Sequence, residues 1–241
     1  MEELTLRQTD LLKTVVEDYI KTAKPVGSQE LVKNHELRIS AATVRNEMAE
    51  LMRKGFLEVP HTSSGRVPTA LGIRHYINEL MEEKEVPVLE EVAMKQRVWD
   101  ERYELDKFFK QAVLALAESS GMLSVVETDD GRMFRAGMVN VLNHPEFFDI
   151  DVARTVFGLL DDLELFRSVI GRAHGDTVAI LLGSETEIPH LDTAGLIVSR
   201  FSCGNISGRV CIIGPYRMPY SKVIPEIRFL SRLLSEVGGG W

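Results

Sequence analysis

The chain has 241 residues, 44% apolar and 27% charged, with a formal net charge of −8, which leaves room for one large domain or two modest ones with a real core. Two cysteines, Cys203 and Cys211, make no disulfide framework and lack the paired spacing of a zinc site. The acidic, polar start MEELTLRQTD is no secretory signal, and the longest apolar runs, VAILL (178–182) and VCII (210–213), are strand-length, so the cytoplasm is the default location.

TLRQTDLLKTVVEDYIKTAK (5–24) predicts an amphipathic helix, with Thr5 and Gln8 as a capping box. Leu12, Val15, Val16 and Tyr19 line its inner face at helical spacing. Pro25 ends it, and VGS (26–28) opens a shorter helix that Ser28 is placed to cap, with Leu31 and Val32 turned inward. HELRIS (35–40) is a turn. Ser40 then caps a third helix whose apolar positions Val44, Met48, Leu51 and Met52 share one stripe, and Gly55 closes it. FLEVP (56–60), the polar tip HTSSG (61–65) and RVPT (66–69) form a β-ribbon, and TALGIRHYINELMEE (69–83) is a further helix. Three helices and a ribbon are the parts of a winged helix-turn-helix, whose third helix reads the DNA groove.

With Val44, Met48 and Leu51 buried, that helix presents Ser40, Ala42, Thr43, Arg45 and Asn46 outward. Arginine matches guanine O6 and N7 with two donors, asparagine matches adenine N6 and N7, and small neighbours allow close approach. The tip offers His61, Thr62, Ser63, Ser64, Gly65 and Arg66 for phosphate oxygens or the minor groove. The same face is also what any solvated amphipathic helix shows, and helix-turn-helix units serve as protein-docking modules. Charge does not decide between them. Residues 1–80 balance eleven basic against eleven acidic side chains, so the whole excess lies beyond them. A DNA contact here depends on placement rather than bulk charge.

EEKEV (82–86) and Pro87 mark a hinge. Residues 89–120 hold no Gly or Pro and predict one long helix or two stacked ones, packed on their own domain, or else a strut or dimer seam. Beyond Gly121 come a strand MLSVVET (122–128), the turn DDGR (129–132), an extended MFRAGMVNVL (133–142) and one helix over 149–172. Strands at 178–184, 194–202 and 208–215 and a terminal helix at 220–237 complete an α+β layer domain with helices on one side of an antiparallel sheet. The six histidines lack metal spacing, and no P-loop, nucleophile elbow or dinucleotide fingerprint occurs, so no catalytic residue, metal ligand or cofactor is assigned. Asp161, Asp162 and Glu164 read as a solvated face, and Arg200, Arg209 and Arg217 as solvent-reaching arginines rather than an anion ring.

KPVGSQELVK (24–33) and SAATVRNEMAELMRKGFLEVPHTSSGRVPTALGIRHYI (40–77) closely resemble the N-terminal domain of the heat-inducible transcription repressor HrcA family. VLNHPEF (141–147), VAILLG and GRVCIIGPYRMPYSKVI (208–224) resemble the GAF-like domain of the same repressors. The resemblance implies a cytoplasmic, homodimeric repressor of chaperone genes. It would bind the CIRCE inverted repeat in double-stranded DNA, release it on heat stress and work with a GroE-type chaperonin. Carried over residue by residue, the reader positions are Ser40, Ala42, Thr43, Arg45 and Asn46, and the wing positions are His61 to Arg66. The implied layout is a winged helix-turn-helix domain at 1–83, a linker and helical strut at 84–120, and a GAF-like α+β domain at 121–241. Family members are longer, with an inserted dimerising region between stretches like ETDDGR and MVNVLNHPEF; here MFRA (133–136) nearly joins the two. The rival expectation is a winged-helix regulator whose GAF-like domain binds a small-molecule effector.

Overall fold

Thr5 sets the first helix. In the computed structural model, which describes residues 3–35, 39–60, 65–175 and 177–237, its side chain accepts from the Gln8 amide while the Gln8 side chain accepts from the Thr5 amide. The chain divides into two compact units, Met1–Glu82 and Glu83–Trp241.

In the first unit, α1 (Leu6–Thr22) buries Leu11, Leu12, Val15 and Val16, and ends at Ala23 in the left-handed region (φ 56°) rather than running to Pro25. α2 (Ser28–Asn34) takes Gly27 as its N-cap with no side-chain cap bond, so Ser28 is the first helical residue and not the cap expected of it. α3 (Ala41–Arg53) has the predicted cap: Ser40 Oγ accepts from the Thr43 amide at 3.1 Å. Its end is a Schellman turn. Gly55, at φ +82°, donates to the Met52 carbonyl and Phe56 donates to that of Leu51, both at 2.9 Å.

The ribbon is short. β1 (Leu57–Glu58) and β2 (Val67–Pro68) pair antiparallel, Leu57 opposite Pro68 and Glu58 opposite Val67. Pro60 and Pro68 each lack an amide donor, which keeps the ladder from growing. An isolated bridge prolongs it sideways: Val26 and Arg66 exchange amide-to-carbonyl bonds of 2.8 and 2.9 Å. Gly65 permits that approach, since a Cβ there would lie 2.7 Å from the Pro25 carbonyl carbon. α4 (Ala70–His75), capped by Thr69, passes into a π-helical turn over Tyr76–Leu80, so the helix predicted to 83 stops short.

The second unit is built on a five-stranded antiparallel sheet in the order β4-β3-β7-β6-β5. Before the sheet come α5 (Val88–Asp100) and α6 (Leu105–Ser120), two helices where the sequence left one or two open. The strands are β3 (Leu123–Thr128), β4 (Met133–Ala136), β5 (Val178–Leu182), β6 (Ala194–Cys203) and β7 (Ile206–Pro215). The extended segment expected to 142 ends at Ala136; the chain turns at Gly137 into α7 (Met138–Val141). The single helix expected over 149–172 is two, α8 (Ile150–Asp161) and α9 (Leu163–Gly171). Asp162 breaks the run because its carboxylate caps the Leu165 amide at 2.9 Å. α10 (Tyr220–Val237) closes the chain.

Helices cover both faces of the sheet, not one. Leu123, Val125, Leu196, Val198, Cys211 and Ile213 join a core with Val152, Val156, Leu159, Phe166, Val169 and Ile170 of α8 and α9. The opposite face carries Phe134 and Phe201, whose rings lie 5.5 Å from that of Phe109 on α6, and α10 packs along β6. Two-sided burial explains the continuous apolar runs VAILL and VCII, which show no period-two alternation. α5 packs on α6, within this same unit.

Inside α10, Pro225 has no amide to offer the Ser221 carbonyl four residues back. The Lys84 amide takes that acceptor at 2.8 Å, and Glu83 beside it receives Arg228 in two bonds of 2.6 and 2.9 Å.

Candidate nucleic-acid interface

α3 sorts its residues by face. Val44, Met48 and Leu51 are buried in the first unit, while Ala42, Arg45, Asn46 and Ala49 are exposed and Thr43 is half-buried. Ser40 is exposed, but its hydroxyl is engaged: besides capping Thr43 it lies 2.9 Å from Thr43 Oγ1. The acids of this helix are neutralised internally. Glu47 meets Arg7 at 3.4 Å and Gln8 at 3.1 Å, and Glu50 meets Arg53 at 2.9 Å. Arg45 forms no ion pair among the described residues. The face is therefore electropositive locally, although the unit as a whole is nearly neutral.

The bridge between Val26 and Arg66 brings the start of α2 beside the base of the ribbon. Together with α3 they enclose a notch of about 350 Å³ lined by Val26, Gly27, Ser28, Gln29, Arg45, Met48 and Arg66. Arg66 is half-buried; its Nε approaches Met52 Sδ at 2.7 Å and its Nη1 donates to the Gly65 carbonyl at 3.2 Å. Of the wing positions, His61, Thr62, Ser63 and Ser64 lie outside the described residues; Gly65 is buried at the bridge and Arg66 opens onto the notch. Ser28 and Gln29 line the same notch and were missed by the sequence reading, which used VGS only as a helix start. The signal was long-range: residues 26 and 66 meet only through backbone pairing.

Among the described residues, the second unit assembles no comparable cluster of reactive groups. Cys203 and Cys211 are buried, and burial pushes both thiols up, away from the reactive thiolate. Asp161 pairs with Arg135 at 3.2 Å, and Asp162 is a helix cap, so the carboxylates near residue 161 have structural partners. Arg217 is paired with Glu146, while Arg200 and Arg209 face each other as neighbours on β6 and β7; the three do not ring one site. Among the described residues no group of three His, Cys, Asp or Glu side chains is arranged to hold a metal. No described helix is long and apolar enough to cross a membrane.

The crystal structure of a hypothetical protein shares this fold with a TM-score of 0.83, covering 99% of both chains at 18% identity. The family model described as "HrcA protein C terminal domain" matches residues 27–224. The heat-inducible transcription repressor HrcA of Acetivibrio thermocellus is 25% identical over 333 residues, covering 95% of each chain. That of Carboxydothermus hydrogenoformans is 25% identical over 334 residues, covering 97% of this chain and 98% of its own. That of Clostridium acetobutylicum is 27% identical over 327, covering 93% and 95%. These spans exceed the 241 residues of this chain, so the relatives carry internal sequence that it lacks. With a family match over most of its length and three such relatives aligned nearly end to end, the chain belongs to the HrcA family.

Proposed function

We propose that this protein is a sequence-specific, DNA-binding repressor of heat-shock (chaperone) genes, with residues 1–83 as a winged helix-turn-helix domain. Its relatives are named heat-inducible transcription repressors, and the first unit has the parts such a role needs. The observation that carries the reading is α3: a capped helix whose outward face is small and polar, whose acids Glu47 and Glu50 are paired, and whose Arg45 forms no ion pair among the described residues. Residues 121–241 act as a GAF-like domain, with the helices of 84–120 leading into it. The repressor binds an inverted repeat as a homodimer, because a two-fold operator matches a two-fold protein. Heat releases it, and a GroE-type chaperonin supports the folded form.

Titrating the purified chain onto a labelled CIRCE duplex and a scrambled duplex of equal length tests this. The expected result is tighter binding to the repeat, with the mass in solution doubled on it. Equal affinity for both duplexes would sink specific repression.

The effector-binding alternative has one observation in its favour, a groove of about 410 Å³ among α5, α6 and α10 lined by Met94, Arg97, Ser119 and Lys222. A metabolite that raises the melting temperature and changes operator affinity would favour it; a screen with no such compound would count against it.

A further inference from the structure

The notch between α2, α3 and the ribbon base has a one-sided chemistry. Among the described residues, its polar side chains are the guanidinium groups of Arg45 and Arg66, the Ser28 hydroxyl and the Gln29 amide, and no carboxylate lines it. All four are hydrogen-bond donors, and two are cations of fixed charge. Val26 and Met48, both buried, contribute the apolar part of the lining. Apolar walls limit water and strengthen a charge-assisted bond to an anion. The parts come from three elements, and the Val26–Arg66 bridge fixes two of them to each other.

Helical spacing separates Arg45 from the rest of the exposed face. Arg45 and Met48 stand at i and i+3, on one stripe, and both line the notch. Ala42, Asn46 and Ala49 stand at i, i+4 and i+7 on the next stripe, and all three are exposed. The second stripe is the one whose small residues let a helix sit against base edges.

We infer that the notch seats one backbone phosphate of duplex DNA through Arg45, Arg66, Ser28 and Gln29, so that Arg45 positions the helix and Asn46 reads the base. The inference rests on the DNA-binding reading above and changes it in two ways. It adds Ser28 and Gln29 to the interface, and it moves Arg45 from sequence readout to backbone contact.

The 241-residue chain, its Arg45→Gln, Arg45→Lys, Ser28→Ala and Asn46→Ala variants, and the CIRCE and scrambled duplexes supply the test, with affinity measured across a salt series. Arg45→Gln is expected to weaken both duplexes by the same factor and to lower the slope of log affinity against log salt by about one. Arg45→Lys keeps the charge and most of the slope. Ser28→Ala weakens both duplexes alike, whereas Asn46→Ala reduces the ratio between them. Arg45 is exposed, so these changes leave the core untouched, and circular dichroism checks that the fold is kept. If Arg45→Gln collapses the ratio while leaving affinity for the scrambled duplex unchanged, Arg45 reads a base and the inference is overturned. An Arg45→Gln variant identical to the parent on both duplexes also overturns it. A parent protein that binds both duplexes equally removes specific repression instead, while the salt slope on either duplex still decides the phosphate seat. Inorganic phosphate, added at constant ionic strength, distinguishes the free ion from the backbone: competition in the parent that persists in Arg45→Gln places phosphate elsewhere and counts against the notch.

Discussion

Glu226 lies within α10 with its residue fully shielded, and its Oε2 has no hydrogen-bond partner among the described residues. Ser119 Oγ stands 2.8 Å from Glu226 Oε1 and 2.9 Å from Glu90 Oε2. A hydroxyl carries one proton and cannot donate to both carboxylates. The set closes if Glu226 is protonated, giving its proton to Ser119, which gives its own to Glu90. Burial, the largest influence, pushes the Glu226 carboxyl up; Ser119 and Lys222 pull the other way and are outweighed. A carboxyl whose folded pKa is raised holds its proton more tightly folded than unfolded. Its contribution to stability is therefore complete below the unfolded value of about 4.3 and is lost as pH rises through the folded value. Glu226→Gln keeps the donor and removes the titration. The variant's melting temperature is predicted to fall less than the parent's between acidic and neutral pH, by about 2–4 °C per kcal/mol of linkage for a unit of this size. Calorimetry across pH checks this, and parallel curves for the two proteins would refute the protonated assignment.

At the scale of elements, the caps decide where helices begin and end. Ser40→Ala removes the bond to the Thr43 amide and is predicted to cost about 1 kcal/mol of the first unit's stability, read by urea denaturation. A loss on that order should appear without any change in the salt slope of DNA binding, because Ser40 acts through the helix start. Caps were also what made the chain readable. Thr5 with Gln8, Ser40 and Gly55 announced three helix ends from local chemistry alone. Asp162 did not, because an aspartate inside an amphipathic pattern has the same spacing whether it points to solvent or caps a new helix. The second covered face of the sheet was hidden for a different reason. An apolar run of five residues states that a strand is buried but not what buries it, and α8 and α9 reach the sheet only through tertiary packing. The exposed stripe of α3 was legible, but the notch beside it depends on a backbone pairing across forty residues that no local pattern encodes.

For the whole molecule, charge and symmetry set the terms of DNA binding. The first unit is nearly neutral and almost the whole excess of −8 lies beyond it, so non-specific attraction to phosphate is weak and a few placed cations must supply it. In the proposed dimer, two half-sites bound together would gain effective concentration that a single half-site does not offer. On this reading, anything that separates the subunits releases the operator without altering α3. The alignments with relatives add a constraint. This chain aligns with each relative nearly end to end while lacking internal sequence that they carry, so the contact of the proposed dimer would draw on the residues it retains.

The proline in α10 has a consequence measurable in time rather than in distance. Lys84 sits in a segment without helix or strand, where an amide proton ordinarily exchanges with solvent as fast as a loop opens. Its proton is instead held by the Ser221 carbonyl, which Pro225 leaves without a helical donor. Lys84 is predicted to exchange with the slow protons of α10, not with the fast ones of its own neighbours. Pro225→Ala restores an amide that competes for the same oxygen. The Lys84 proton should then exchange faster while the helix around residue 225 becomes more protected, a reciprocal change that hydrogen–deuterium exchange resolves residue by residue. Fast exchange at Lys84 in the parent protein would show that the start of the second unit is not anchored to α10 at all.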